Sequence, residues 1–161
     1  MTIAQAGFFV VALAFSGCAA VAPALTYTPT YGRFFLELAD EGSTTVVLPK
    51  SGTRIAINPK PVFTENDVSG VELMQVDLGR CLMFQFTPAA ARDLYRLSAS
   101  NQGRRLVLML NGVAVGARRL DGPLGEGTLL TFVERPDEEL PALVENLKKS
   151  AAAVQREIAR R

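Results

Sequence analysis

Two cysteines, 16 carboxylates and no histidine define the chemistry open to this 161-residue chain. Without an imidazole, Ser-His-Asp and Cys-His nucleophilic centres and most zinc sites are out of reach. Acid and base work would fall to carboxylates such as Glu72, Asp77 or Glu126. Such catalysis needs two of them in one pocket, and each reads more simply as a solvated strand or loop charge. Residues 121–127 (DGPLGEG) are rich in glycine but lack the Gly and Lys spacing of a phosphate cradle. They read as a connection, so no metal, cofactor or small-molecule substrate is expected and the chain is not read as an enzyme.

The cysteines differ in context. Cys18 follows an apolar run, residues 6–15 (AGFFVVALAF), and sits in Ser16-Gly17-Cys18-Ala19-Ala20. Ten residues are too few to span a bilayer, which takes about 20, and fit the apolar core of an export signal. Ser-Gly-Cys resembles a bacterial lipobox, in which the cysteine thiol carries the lipid, so Cys18 is the expected lipidation site, detectable with palmitate. Phe15 stands where that pattern usually has Leu, and no Lys or Arg precedes the run. A start further upstream would restore the basic residues. A conventional signal peptide cut near Ala20 or Ala22 and an N-terminal helix buried in the domain are the alternatives. Cys81, in Leu78-Gly79-Arg80-Cys81-Leu82, reads as a small buried hydrophobe rather than a reactive thiol.

The expected organisation is a lipoprotein-type signal over 1–17, a tether over 18–32 and one domain over 33–161. The first 32 residues carry no charge, and residues 19–32 mix small residues, Thr, Tyr and Pro without periodicity. Extended, those fourteen residues reach about 45 Å. The apolar (48%) and charged (20%) fractions are globular, which argues against disorder. A net charge of +1 provides no field to attract nucleic acid, so none is expected as a partner.

Periodicity within the domain predicts an α+β fold: a mostly antiparallel sheet with two helices packed on one face. Residues 34–39 and 45–48 suggest a hairpin across Asp40-Glu41-Gly42-Ser43, and 54–57 a further short strand. Residues 63–68 read as a turn or a single helical turn. Residues 71–78 and 82–86 suggest a second hairpin across Gly79-Arg80, with Leu82, Phe84 and Phe86 on one face. Thr87-Pro88 starts a helix to about Ser100. Residues 106–110 (LVLML) are apolar at both parities and read as a central strand. Asn111-Gly112 then turns the chain back along 113–117, and 128–133 form a last strand. The final helix opens on acids at 136–139 and carries an apolar stripe from Leu140 to Ile158. Lys148, Lys149, Arg156, Arg160 and Arg161 near its end complement the helix dipole, or alternatively face an anionic membrane or acidic partner.

From about residue 61 to 147 the order of motifs resembles the periplasmic head domain of SecD, the accessory subunit of the bacterial protein translocase. Residues 61–68 (PVFTENDV) are similar to that family's PVLT-x-x-D-V/I entry. Residues 82–87 followed by Ala91-Arg92 are similar to its strand-to-helix segment. Residues 103–113 (GRRLVLMLNGV) are similar to GK-x-LAIVLDGKV, and 122–127 fall where the family has PI-x-GG. Ala117-Arg118 replaces the family's Ala-Pro, and Thr131-Phe132-Val133 replaces its Gly-x-Phe. The resemblance implies an extracytoplasmic domain that touches unfolded or exported polypeptide, without a proton-driven motor.

The expected function is a non-catalytic, membrane-tethered binding or accessory module of the bacterial envelope, facing the periplasm, with a protein partner. A secreted or soluble periplasmic form is the alternative location. The alternative functions are a structural envelope lipoprotein acting by self-association and, third, a carboxylate enzyme.

Overall fold

The computed structural model describes residues 26–38 and 41–161. The apolar segment, Cys18 and most of the tether lie outside the described residues. In chain order the elements are β1 (Gly32–Leu36), β2 (Thr44–Val47), β3 (Arg54–Ile57), β4 (Val68–Val76), β5 (Gly79–Phe86), α1 (Pro88–Ser100), β6 (Arg105–Leu110), β7 (Val113–Arg119), β8 (Thr128–Thr131) and α2 (Leu140–Ile158). A 3-10 turn, Glu65–Asp67, precedes β4. All strand pairing is antiparallel, in sheets ordered β1-β6-β7 and β4-β5-β8 and a separate β2-β3 ribbon.

Strand β6 takes the central position its composition predicts. Leu106, Leu108 and Leu110 face the main core, while Val107 and Met109 face the other side, where Leu48, Ile55 and Ile57 of the ribbon cover them. Both faces are therefore dry, which explains a strand without polar alternation. The main core also takes Phe34 of β1 and Leu82, Phe84 and Phe86 of β5. Phe34 and Phe84 meet edge to face at 5.0 Å between ring centroids and 88° between planes, the geometry aromatic quadrupoles favour. Both helices close this core, α1 through Ala90 and Leu94 and α2 through Val144, Leu147 and Ala151. Helix α1 is capped as its sequence predicts: Thr87 Oγ1 accepts from the Ala90 N–H, and Pro88 opens the first turn.

Four expectations are corrected. β1 does not form a hairpin with β2. It pairs with β6 (Phe34 opposite Leu108), and β2 pairs with β3. A local turn favours a hairpin between neighbours, but β1 gains more by placing Phe34 in the aromatic cluster. The end of β1 still touches the ribbon, where Leu38 N–H donates to the Ala56 carbonyl. The β4-β5 turn is Asp77-Leu78, with Val76 opposite Gly79, rather than Gly79-Arg80. Gly79 adopts a φ of +119°, which only glycine tolerates readily. The tether expected to end at residue 32 joins the domain earlier: Thr30 is buried, its N–H donates to Ser150 Oγ of α2, and Gly32 belongs to β1. The last helix starts at Leu140, with the acids 137–139 forming the turn before it.

Candidate functional site

The register of the strands exposes a seam between the two three-stranded sheets. In an antiparallel pair, alternate residues aim both backbone polar groups at one neighbour. Leu120 N–H donates to the Arg104 carbonyl and the Leu120 carbonyl accepts from Gly103 N–H, so in register Arg118 and Gly116 of β7 also face β6, and Ala117 and Arg119 face outward. By the same count Leu129 and Thr131 of β8 face β5, because Phe86 N–H donates to the Gly127 carbonyl. The polar groups of Thr128 and Leu130 then point away from β5.

The seam is closed at one end. Glu134 N–H donates to the Val115 carbonyl at 2.6 Å, and a Cβ on Gly116 would overlap the Phe132 carbonyl oxygen. Beside this junction lies a cleft of about 330 Å³ lined by Arg118 of β7, the loop residues Leu124 and Glu126, and Thr128 and Leu130 of β8 among others. The connecting loop is drawn off onto α1. Leu124 N–H donates to Ser98 Oγ at 2.8 Å, and Gly127 lies against the Ala91 methyl. The Glu134 carboxylate also accepts from the Lys50 and Ser51 amides at the ribbon's turn. Burial would raise the pKa of Glu134, but these bonds outweigh it and hold the group below the usual carboxylate range.

The three carboxylates that could have done acid-base chemistry sit on separate elements. Glu72 lies on β4 beside Gln85, Asp77 lies in the β4-β5 turn, and Glu126 lies in the loop that lines the cleft. The cleft is not shared by the first two. Among the described residues no three His, Cys, Asp or Glu side chains gather as a metal site. Cys81 is fully buried, and burial pushes its thiol pKa up, with Arg118 offsetting this in part. It has the environment of an inert thiol. The other perturbed groups are structural pairs: Arg105 and Arg33 bond in a forked manner to Glu37 and Glu65 and hold both carboxyls below their usual range.

The fold matches solved structures of SecDF. One is SecDF in its super-membrane-facing form (TM-score 0.58, 15% identity, 76% of this chain). Another is SecDF described as a membrane component that enhances protein export (TM-score 0.57, 15% identity, 76% of this chain). The chain carries a SecDF-like fold. It spans 19% of the length of the first structure and 63% of the second. No protein-family model matches, and no curated protein does. The SecDF-like fold agrees with the resemblance carried by residues 61–147 and with the α+β expectation. The seam itself was missed from sequence. Its one local sign was Gly116 inside a strand pattern, which marks a bulge or a close backbone approach; Arg118, Leu130 and Glu134 carry no such sign.

Proposed function

We propose that this chain is an accessory module of protein export, held to a bacterial membrane through lipid on Cys18, with its domain in the periplasm and in contact with exported polypeptide. The SecDF-like fold over 76% of the chain carries this reading. It draws support from the lipobox-like Ser16-Gly17-Cys18 and from the absence, among the described residues, of any helix long and apolar enough to cross a membrane. The domain binds rather than catalyses: its cleft is lined by Leu124, Leu129 and Leu130 among others, and the carboxylates lie on separate elements. Removing the chain from cells is expected to slow the maturation of pulse-labelled exported precursors, with wild type restoring the rate. Unchanged maturation kinetics would contradict the export reading. In the same strains the wild type takes up labelled palmitate and Cys18→Ala does not; label retained in the variant would reject Cys18 as the lipid site.

A further inference from the structure

We propose that the end of the domain where the chain enters it, built around Tyr31, Val113 and Ile158, lies against the phospholipid surface of the membrane that holds the chain. This rests on the lipid-anchored part of the proposed function and specifies which end of the domain meets the bilayer.

Four elements meet at this end. β1 begins at Gly32, β6 turns into β7 through Asn111 and Gly112, β4 begins at Val68, and α2 runs out at Ile158. Hydrogen bonds tie them together: Tyr31 N–H donates to Asn111 Oδ1 at 2.9 Å, and Gln155 Nε2 of α2 donates to the Asn66 and Val68 carbonyls. Six large hydrophobic side chains are exposed among the described residues, and three of them stand here: Tyr31 (39%), Val113 (55%) and Ile158 (43%). Tyr31 joins the three into one surface. On one side it lines a hollow of about 240 Å³ with Met109 and Gly112, the neighbour of Val113, and on the other a hollow of about 410 Å³ with Val154 and Ile158. Exposed apolar side chains gathered in one place mark a contact surface, whereas scattered ones need no explanation.

The course of the chain and the charges select a bilayer as the occupant. The entering segment is clamped beside this surface: Thr28 N–H donates to Asn146 Oδ1, the Pro29 carbonyl accepts from Asn111 Nδ2, and Thr30 N–H donates to Ser150 Oγ. Eight residues separate Thr26 from Cys18, at most about 28 Å of chain, so lipid on Cys18 keeps Thr26 within that distance of the membrane. Glu65 pairs with Arg33 and Glu157 with Arg161. Arg156 and Arg160, in the last turns of α2, have no acidic partner among the described residues and can meet lipid phosphates. Tyr and Arg suit that interface, with apolar rings and stems towards the acyl chains and polar tips among the headgroups. Three apolar side chains give little affinity alone. A tethered domain meets its membrane at high effective concentration, so a weak contact is enough to orient it.

The test uses the full-length chain, purified in detergent from bacterial membranes and reconstituted at less than one copy per vesicle into phosphatidylethanolamine with phosphatidylglycerol. The chain has no tryptophan, so Tyr31→Trp, Ile158→Trp and Leu78→Trp each report on one position. Leu78 is exposed in the turn at the far end of β4 and serves as the control. Phospholipids brominated on their acyl chains are expected to quench Tyr31→Trp and Ile158→Trp at least twofold and Leu78→Trp by less than a tenth. Adding Val113→Ser/Arg156→Gln/Arg160→Gln to Tyr31→Trp is expected to halve its quenching at an unchanged urea midpoint. Equal quenching at all three positions, or none at Tyr31→Trp and Ile158→Trp, overturns the docked end, while palmitate labelling of Cys18 decides separately whether the lipid anchor stands. Quenching that appears only at many copies per vesicle assigns the surface to a second copy and overturns the proposal as well.

Discussion

Gly116 is the residue on which the seam's geometry turns. Its strand position would accept most side chains, yet a Cβ there meets the Phe132 backbone, which cannot give way as a side-chain tip can. Gly116→Ala is expected to cost about 1–3 kcal/mol, in the range of overpacking a filled site, measured as a lower urea midpoint. Thr131 offers the opposite case. Its hydroxyl is fully buried and lacks a partner, a cost of about 1–3 kcal/mol for an unsatisfied group. Thr131→Val is therefore expected to raise stability by about 1 kcal/mol, and a fall would show that the hydroxyl is satisfied in solution. Glu37, Glu65 and Glu134 all titrate below the ordinary carboxylate value of 4.5 in the fold. Their stabilisation is present above that value and is lost as pH falls through the lower folded-state values. Denaturation midpoints taken from pH 6 to pH 3 should therefore drop. Glu37→Gln, which gives up its charged fork with Arg105, should lower the midpoint at pH 6 and flatten the drop.

At the scale of elements, the local signals in the sequence translated well and the non-local ones did not. The Thr87-Pro88 helix start, the Asn111-Gly112 turn with both residues at positive φ, and the doubly apolar β6 all depend on neighbours within a few residues. The partner of β1 depends instead on Phe34 reaching Phe84 and Phe86, some fifty residues on in the chain, and no turn chemistry encodes that. The β2-β3 ribbon likewise reads locally as two short apolar runs, and only the fold shows it as the cover over Val107 and Ala114. If that cover is integral to the domain, Ile55→Ala should cost about 2–5 kcal/mol, as deletion from a packed core does, and unfolding should stay a single transition. A separate early transition in the variant would show the ribbon to be an independent unit. The cleft was illegible for a related reason: residues 121–127 read as a bare connection because their composition records flexibility but not the direction in which α1 pulls them.

At the scale of the molecule, the described residues join a main core closed by two helices to a smaller one under the β2-β3 ribbon, with a cleft beside β8. The main core holds the domain together through Phe34, Leu82 and Leu106. Composition excluded the histidine chemistries and bounded the size. The SecDF-like fold then turned a sequence resemblance over residues 61–147 into a three-dimensional one. The central claim is contact with polypeptide on its way out of the cell, and photo-crosslinking in living cells from a probe at Leu130 tests it most directly. Pulse-labelled exported precursors should crosslink during export and be lost from the adduct as they mature, with much weaker adducts from a probe at exposed Ile158. Equal labelling from both positions, or an adduct that never chases, would contradict the account.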